Sequence, residues 1–102
     1  MSREVHVQFQ VKSSTIMKKT LEQLGLQYQE QGDRLSISRN YHNIDIDTNS
    51  GNISYDDMDK RQVDTIKQEY QFNFWKNEAI KEGMNLQVEK KANGTVLLHL
   101  TH

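Results

Sequence analysis

The chain has 102 residues, no cysteine, no proline and a formal net charge of −1. Without cysteine, disulfides and thiolate metal sites are excluded, so one hydrophobic core must hold the fold together unaided. The near-neutral charge lowers the expectation of nucleic-acid binding, which draws on a basic excess to neutralise phosphates, and no apolar run approaches the roughly 20 residues of a bilayer-spanning helix.

Met1-Ser2-Arg3-Glu4 leads directly into a strand pattern rather than into the apolar stretch of a secretory signal, so a cytoplasmic location is expected. Hydrophobic residues are only 34% of the chain. Their periodic placement nevertheless argues for a folded rather than a disordered protein.

Val5, Val7, Phe9 and Val11 alternate with His6, Gln8, Gln10 and Lys12, which predicts a strand with one buried and one wet face. Ser13 and Ser14 are N-cap candidates for a helix over Ile16 to Leu24. Met17, Leu21 and Leu24 form its apolar stripe, and Gly25 supplies a left-handed stop. Leu26 and Tyr28, a turn at Gln31-Gly32-Asp33, and Leu35 and Ile37 then read as a hairpin. Ile44 and Ile46 mark a further strand. Asn49-Ser50-Gly51-Asn52 turns it into a partner at Ile53 and Tyr55. Asp57 to Asp59 open a long helix, with Asp59 and Gln62 spaced as a capping box and Gly83 as its stop. A last hairpin places Leu86 and Val88, the turn Ala92-Asn93-Gly94, then Val96, Leu98 and Leu100.

The predicted order is β-α-β-β-β-β-α-β-β: an α+β two-layer domain, mostly antiparallel, with two helices on one face of the sheet. No linker-like composition shift or low-complexity stretch interrupts the chain, so residues 1–102 are expected to form one domain. Each helix ends in glycine and continues into a hairpin with a glycine turn, at Gly32 and at Gly94. Either an internal duplication or ordinary cap-and-turn chemistry would give this weak repeat.

The long helix carries two apolar stripes. At 100° per residue Val63, Ile66, Tyr70 and Phe74 share one, while Phe72, Trp75 and Ala79 fall nearly opposite. Either the helix is kinked or enclosed so that both serve one core, or the second stripe is exposed and docks a partner or a second copy of the chain.

Other candidate sites are weaker. Asp45, Asp47, Asn49, Gly51 and Asp56 superficially resemble a calcium loop. Their glycine falls one position late, however, and a hairpin tip explains them through turn preferences. His6, His42, His99 and His102 lack a tight ligand spacing and read as solvated, although His6 and His99 would be neighbours if the first and last strands paired. No nucleophile elbow or phosphate-cradling loop is present, so no catalytic residue, metal or cofactor is expected. The basic pairs Lys60 and Arg61, Lys76 and Lys81, and Lys90 and Lys91 are scattered. With Gln8, Gln10, Gln27, Gln29, Arg39 and the tyrosines Tyr28, Tyr41 and Tyr55, the open sheet face could stack single-stranded bases, but the charge balance favours an ordinary solvated sheet with core tyrosines.

Tyr70-Gln71-Phe72, the stretch from Tyr70 to Gly83, and the following strand, Asn93-Gly94 and Val96-Leu97-Leu98 resemble the closing segment of the uncharacterised family called domain of unknown function 1257. Its members occur in cyanobacteria, chloroplast genomes, other bacteria and phages. Ile16 to Gly25 resembles that family's first helix, and Ser50-Gly51 through Asp57 its middle hairpin. The likeness spans about Val11 to Leu100, although this chain is shorter and lacks the family's glycine-rich middle. The resemblance implies no activity, cofactor or site residue; it implies a small bacterial or phage accessory protein. Taken together, the expectation is a non-enzymatic interaction or adaptor module that binds a partner protein or a second copy of itself through Phe72, Trp75 and Ala79. Single-stranded nucleic-acid binding on the open sheet face is the alternative, and no membrane association is expected.

Overall fold

The computed structural model describes residues 3–40, 42–83, 85–90 and 96–101. Its elements follow the predicted order: β1 (Glu4–Gln8), α1 (Ser14–Gln23), β2 (Gln29–Gln31), β3 (Arg34–Ile37), β4 (Ile44–Asp47), β5 (Asn52–Asp56), a 3-10 turn at Asp57–Asp59, α2 (Lys60–Lys81), β6 (Asn85–Lys90) and β7 (Val96–Thr101).

Ser13 starts α1. Its Oγ accepts the Ile16 N–H at 3.2 Å and satisfies one of the free amides of the first turn. The helix closes as a Schellman motif: Gly25, at φ +73°, donates to the Glu22 carbonyl, and Leu26 donates to that of Leu21 at 2.9 Å. This cap carries the chain through Leu26 and Tyr28, so β2 begins later than the apolar pattern suggested, at Gln29. The helix α2 also stops at a left-handed glycine, with Gly83 at φ +68° donating to the Ile80 carbonyl.

At its start, α2 departs from the predicted capping box. Asp59 makes no side-chain cap bond. Its carboxylate instead accepts from Arg39 Nε and Nη2 at 3.1 and 3.0 Å, tying the end of β3 to the helix entry. The cap passes to Asp56, whose Oδ1 accepts the Met58 N–H at 2.9 Å and opens the 3-10 turn. A charged partner in reach outcompetes the local amide for the Asp59 carboxylate.

The main sheet has five strands in the order β1-β5-β4-β3-β2, every neighbouring pair antiparallel. β6 and β7 pair with one another as a separate two-stranded sheet. The first and last strands therefore do not pair: β1 bonds to β5, β7 bonds to β6, and the His6 and His99 backbones lie in different sheets. The turn expected at Ala92-Asn93-Gly94 lies outside the described residues. Both helices cover one face of the five-stranded sheet, giving the two-layer α+β domain. Between them, Leu35, Ile37, Ile44, Ile46, Ile53 and Tyr55 from the sheet meet Met17 and Leu21 of α1 and Val63, Ile66 and Tyr70 of α2, all buried. Asn73 of α2 clamps the two helices together by donating to Thr20 Oγ1 at 3.0 Å and to Gln23 Oε1 at 2.8 Å on α1.

After Gln8 the chain leaves the ladder, so the alternation running on to Val11 is strand only in part. It is held by one close approach: Phe9 N–H donates to the Gly51 carbonyl at 2.7 Å. Gly51 sits at φ +81°, and a Cβ there would lie 2.5 Å from the Phe9 carbonyl oxygen. Both the backbone conformation and the contact demand glycine. Gly25 has an equally left-handed backbone but nothing within 4 Å of its would-be Cβ. Gly51→Ala is therefore expected to destabilise the protein by more than about 2 kcal/mol, against about 1 kcal/mol for Gly25→Ala. Urea unfolding of the two variants measures the difference, and equal losses would mean that the Phe9 approach contributes nothing.

A candidate aromatic docking groove

The first apolar stripe of α2 does what its spacing predicts. Val63, Ile66 and Tyr70 are buried, and Phe74 packs half-buried against the core. The second stripe divides. Ala79 is 2% exposed and lies within the packed protein, Phe72 is half-buried, and Trp75 is 39% exposed. Ala79 therefore stands beneath any docking surface rather than on it, since a small side chain packs where the helix comes close to its neighbours. Trp75 keeps much of its indole in solvent.

Trp75 ends a ladder of aromatic rings. Phe9 meets Tyr70 edge-on with centroids 5.5 Å apart, Tyr70 stacks on Phe74 at 6.1 Å, and Phe74 meets Trp75 edge-on at 5.4 Å. These are the offset and T-shaped geometries that ring quadrupoles favour. Tyr70 anchors the ladder, because its hydroxyl oxygen accepts the Lys12 N–H at 2.8 Å and the Ser13 N–H at 3.2 Å. The segment joining β1 to α1 is thereby fixed over α2, and the Lys12 side chain is brought across the rings. Lys12 Nζ lies 5.6 Å from the Phe74 centroid and 6.0 Å from that of Trp75, within cation–π range.

Together Phe9, Lys12, Phe74 and Trp75, rimmed by Gln8, Gln10 and Gln71 and floored by Tyr70, enclose a groove of about 250 Å3. Its lining includes a cation and three amides but no carboxylate. Among the described residues Lys12 forms no salt bridge. On the other side of Trp75, Lys76 Nζ stands 6.0 Å from the Phe72 ring. A larger concavity, about 960 Å3, opens beside the α1–β2 connection. It is a broad dish of mixed polar and apolar lining in which the tyrosine hydroxyl and the guanidinium are already engaged: Tyr28 donates its hydroxyl hydrogen to Glu22 at 3.2 Å, and Arg39 is held by Asp59. The groove, by contrast, presents an aromatic edge and a cation with unused capacity.

The remaining candidates are placed apart. Asp45 accepts the Ser36 hydroxyl at 2.6 Å across the open face, Asp47 Oδ1 accepts the Asn49 and Ser50 amides at 2.9 and 3.0 Å, and Asp56 caps the 3-10 turn. Each carboxylate thus has its own structural task, as a hairpin tip requires, and among the described residues no cluster of three or more metal-ligating side chains forms. Tyr55 lies on the core side of the sheet, 4% exposed, and Tyr28 packs half-buried against the core, so neither presents a ring for stacking on the open face. Tyr41 lies outside the described residues.

Two features escaped the sequence. Phe9 and Phe74 read as core positions of a strand and a helix, and both do pack half-buried against the core, yet their rings also line the groove beside Trp75. His42 also looked solvated, yet its Nε2 stands 4.0 Å from Asp56 Oδ2, a buried carboxylate oxygen without a hydrogen-bond partner among the described residues. No local signal announces a pairing made across β4 and β5.

Comparison with protein-family models, curated proteins and solved structures gave no match. No helix among the described residues is long and apolar enough to cross a membrane.

Two measurements check this geometry. Tyr70→Phe leaves the Lys12 and Ser13 amides without their acceptor, and a loss of about 1–3 kcal/mol in urea unfolding is expected; an unchanged midpoint would show that water replaces the hydroxyl. The Ser50 and Asn49 amides beside Asp47 hold its carboxyl below the usual carboxylate range. Its stabilising effect is therefore present above the ordinary carboxylate pKa and is lost as pH falls through the lowered folded value. Asp47→Ala should be less stable than wild type at neutral pH, and the difference should shrink as pH falls through and below the ordinary carboxylate range. A difference that persists in acid would assign the effect to the turn backbone instead.

Proposed function

We propose that the protein is a non-enzymatic interaction module that docks a partner protein in the groove of Phe9, Phe74 and Trp75. The observation carrying this reading is Trp75: a tryptophan held at the end of a packed ring ladder, with its free side in solvent and, above it, a lysine that forms no salt bridge among the described residues. Pre-ordered aromatics beside a cation are the residues that dominate binding energy in interfaces. Of the residues expected to form this surface, Trp75 and the half-buried Phe72 remain accessible and Ala79 does not.

The lining selects the ligand. Lys12 with three amides and no carboxylate favours an anionic group beside a large apolar side chain, as in an acidic peptide segment carrying an aromatic or aliphatic anchor. Trp75 is the only tryptophan in the chain, so its fluorescence reports the groove directly. Arrayed peptides with an apolar anchor flanked by Asp or Glu should shift Trp75 emission on binding. Trp75→Ala and Lys12→Glu should each weaken binding, measured by calorimetry or polarisation, at least about tenfold with unfolding midpoints close to wild type. Peptide binding that is indifferent to both substitutions would contradict the reading.

A further inference from the structure

The two edges of the five-stranded sheet are finished differently. β2 is a three-residue strand, Gln29–Gln31, and is exposed throughout. Its central residue Glu30 pairs in register with the core residue Leu35, which puts a carboxylate on the core-facing side of the edge, where Lys18 of α1 binds it at 2.9 Å. A short edge with an inward charge is protected against further strand pairing. Among the described residues β1 has no such protection. It is five residues long, carries no lysine or proline, and turns Val5 and Val7 toward the core opposite Tyr55 and Ile53. Both valines are only half-buried, because no described element covers their outer side.

The backbone pattern is equally specific. Asp57 N–H donates to the Arg3 carbonyl at 2.8 Å and Phe9 N–H to that of Gly51 at 2.7 Å, so the odd-numbered residues of β1 spend their backbone groups on β5. In an antiparallel ladder the alternate residues face the other way. The N–H and C=O groups of Glu4, His6 and Gln8 are thus presented outward on an edge that no other described strand pairs with.

We infer that β1 is a homodimerisation edge, pairing antiparallel with β1 of a second copy about a two-fold axis at His6. In this register every outward backbone group of Glu4, His6 and Gln8 in both copies finds a partner. Val5 lies opposite Val7 of the second copy on the core side, each closing the other's open flank. On the other face Glu4 lies opposite Gln8 and diagonal to His6 of the second copy, so no two like charges oppose one another while the histidines are neutral. The match is to itself, which is what an isologous contact requires, and it uses the unguarded edge completely, leaving a closed dimer with one continuous antiparallel sheet. This inference does not depend on the aromatic groove.

Light scattering or sedimentation equilibrium of the full chain should give twice the monomer mass. His6→Pro removes an N–H that points away from β5, so the intrachain ladder survives while the edge is blocked; a folded monomer is expected. Should that variant fail to fold, exposed substitutions serve instead. His6→Lys sets two ammonium groups opposite each other and should weaken the dimer about tenfold, while mixing the His6→Lys and His6→Glu chains should restore pairing. Trp75→Ala should leave the dimer mass unchanged. A wild type that remains monomeric at every concentration would overturn the inference, as would a dimer indifferent to both His6→Lys and His6→Glu. A dimer lost in Trp75→Ala but kept in His6→Lys would overturn it in favour of assembly through the groove.

Discussion

The arrangement depends on the hydroxyl of Tyr70. Its ring belongs to the core stripe of α2, 3% exposed, while its oxygen accepts two backbone amides from the chain between β1 and α1. Those amides sit where the chain has left the β1 ladder and not yet closed the first turn of α1, so neither has a regular partner. A buried acceptor there answers a need that water meets poorly. It also fixes α2 relative to the segment that carries Phe9 and Lys12. One side chain thus joins the two layers and sets the surface beside them.

The groove follows from that anchoring. Gly51 admits the Phe9 backbone, Tyr70 holds Lys12, and the rings pack edge-to-face out to Trp75. Each ring is braced by the one below it, so little side-chain entropy remains to be lost when a ligand settles on the last. The polar components are amides and one ammonium group, a lining that attracts an anion and leaves an apolar neighbour to the rings. The sheet edge at β1 begins where this groove ends, at Gln8.

Much of the fold was legible because its signals are local. The alternation of Val5 and Val7, the Ser13 cap, the stops at Gly25 and Gly83 and the turns at Gly32 and Gly51 each encode one element within a few residues. The period of α2 likewise identified Val63, Ile66 and Tyr70 as core. What the sequence hid was set by distant partners. Asp59 had the spacing of a cap, but Arg39, twenty residues earlier, takes its carboxylate. β1 pairs with β5 rather than with the last strand, which no periodicity expresses. Of the site, Trp75 was visible as an aromatic off the core stripe of its helix. Ala79 shared that stripe and is buried, because the outer face of α2 is covered near its C-terminal end and open at Trp75. Lys12 and Phe9 enter the site only through the tertiary contacts of Tyr70 and Gly51.

The most direct test of the docking surface is amide and indole chemical-shift mapping of the labelled protein during titration with an acidic peptide bearing an aromatic anchor. The account predicts saturable shifts that centre on the Trp75 indole N–H and the amides of Phe9, Gln10, Lys12 and Gln71, with the open face around Ser36 and Asp45 unmoved. Saturable shifts confined to that open face, with the Trp75 indole unchanged, would contradict it.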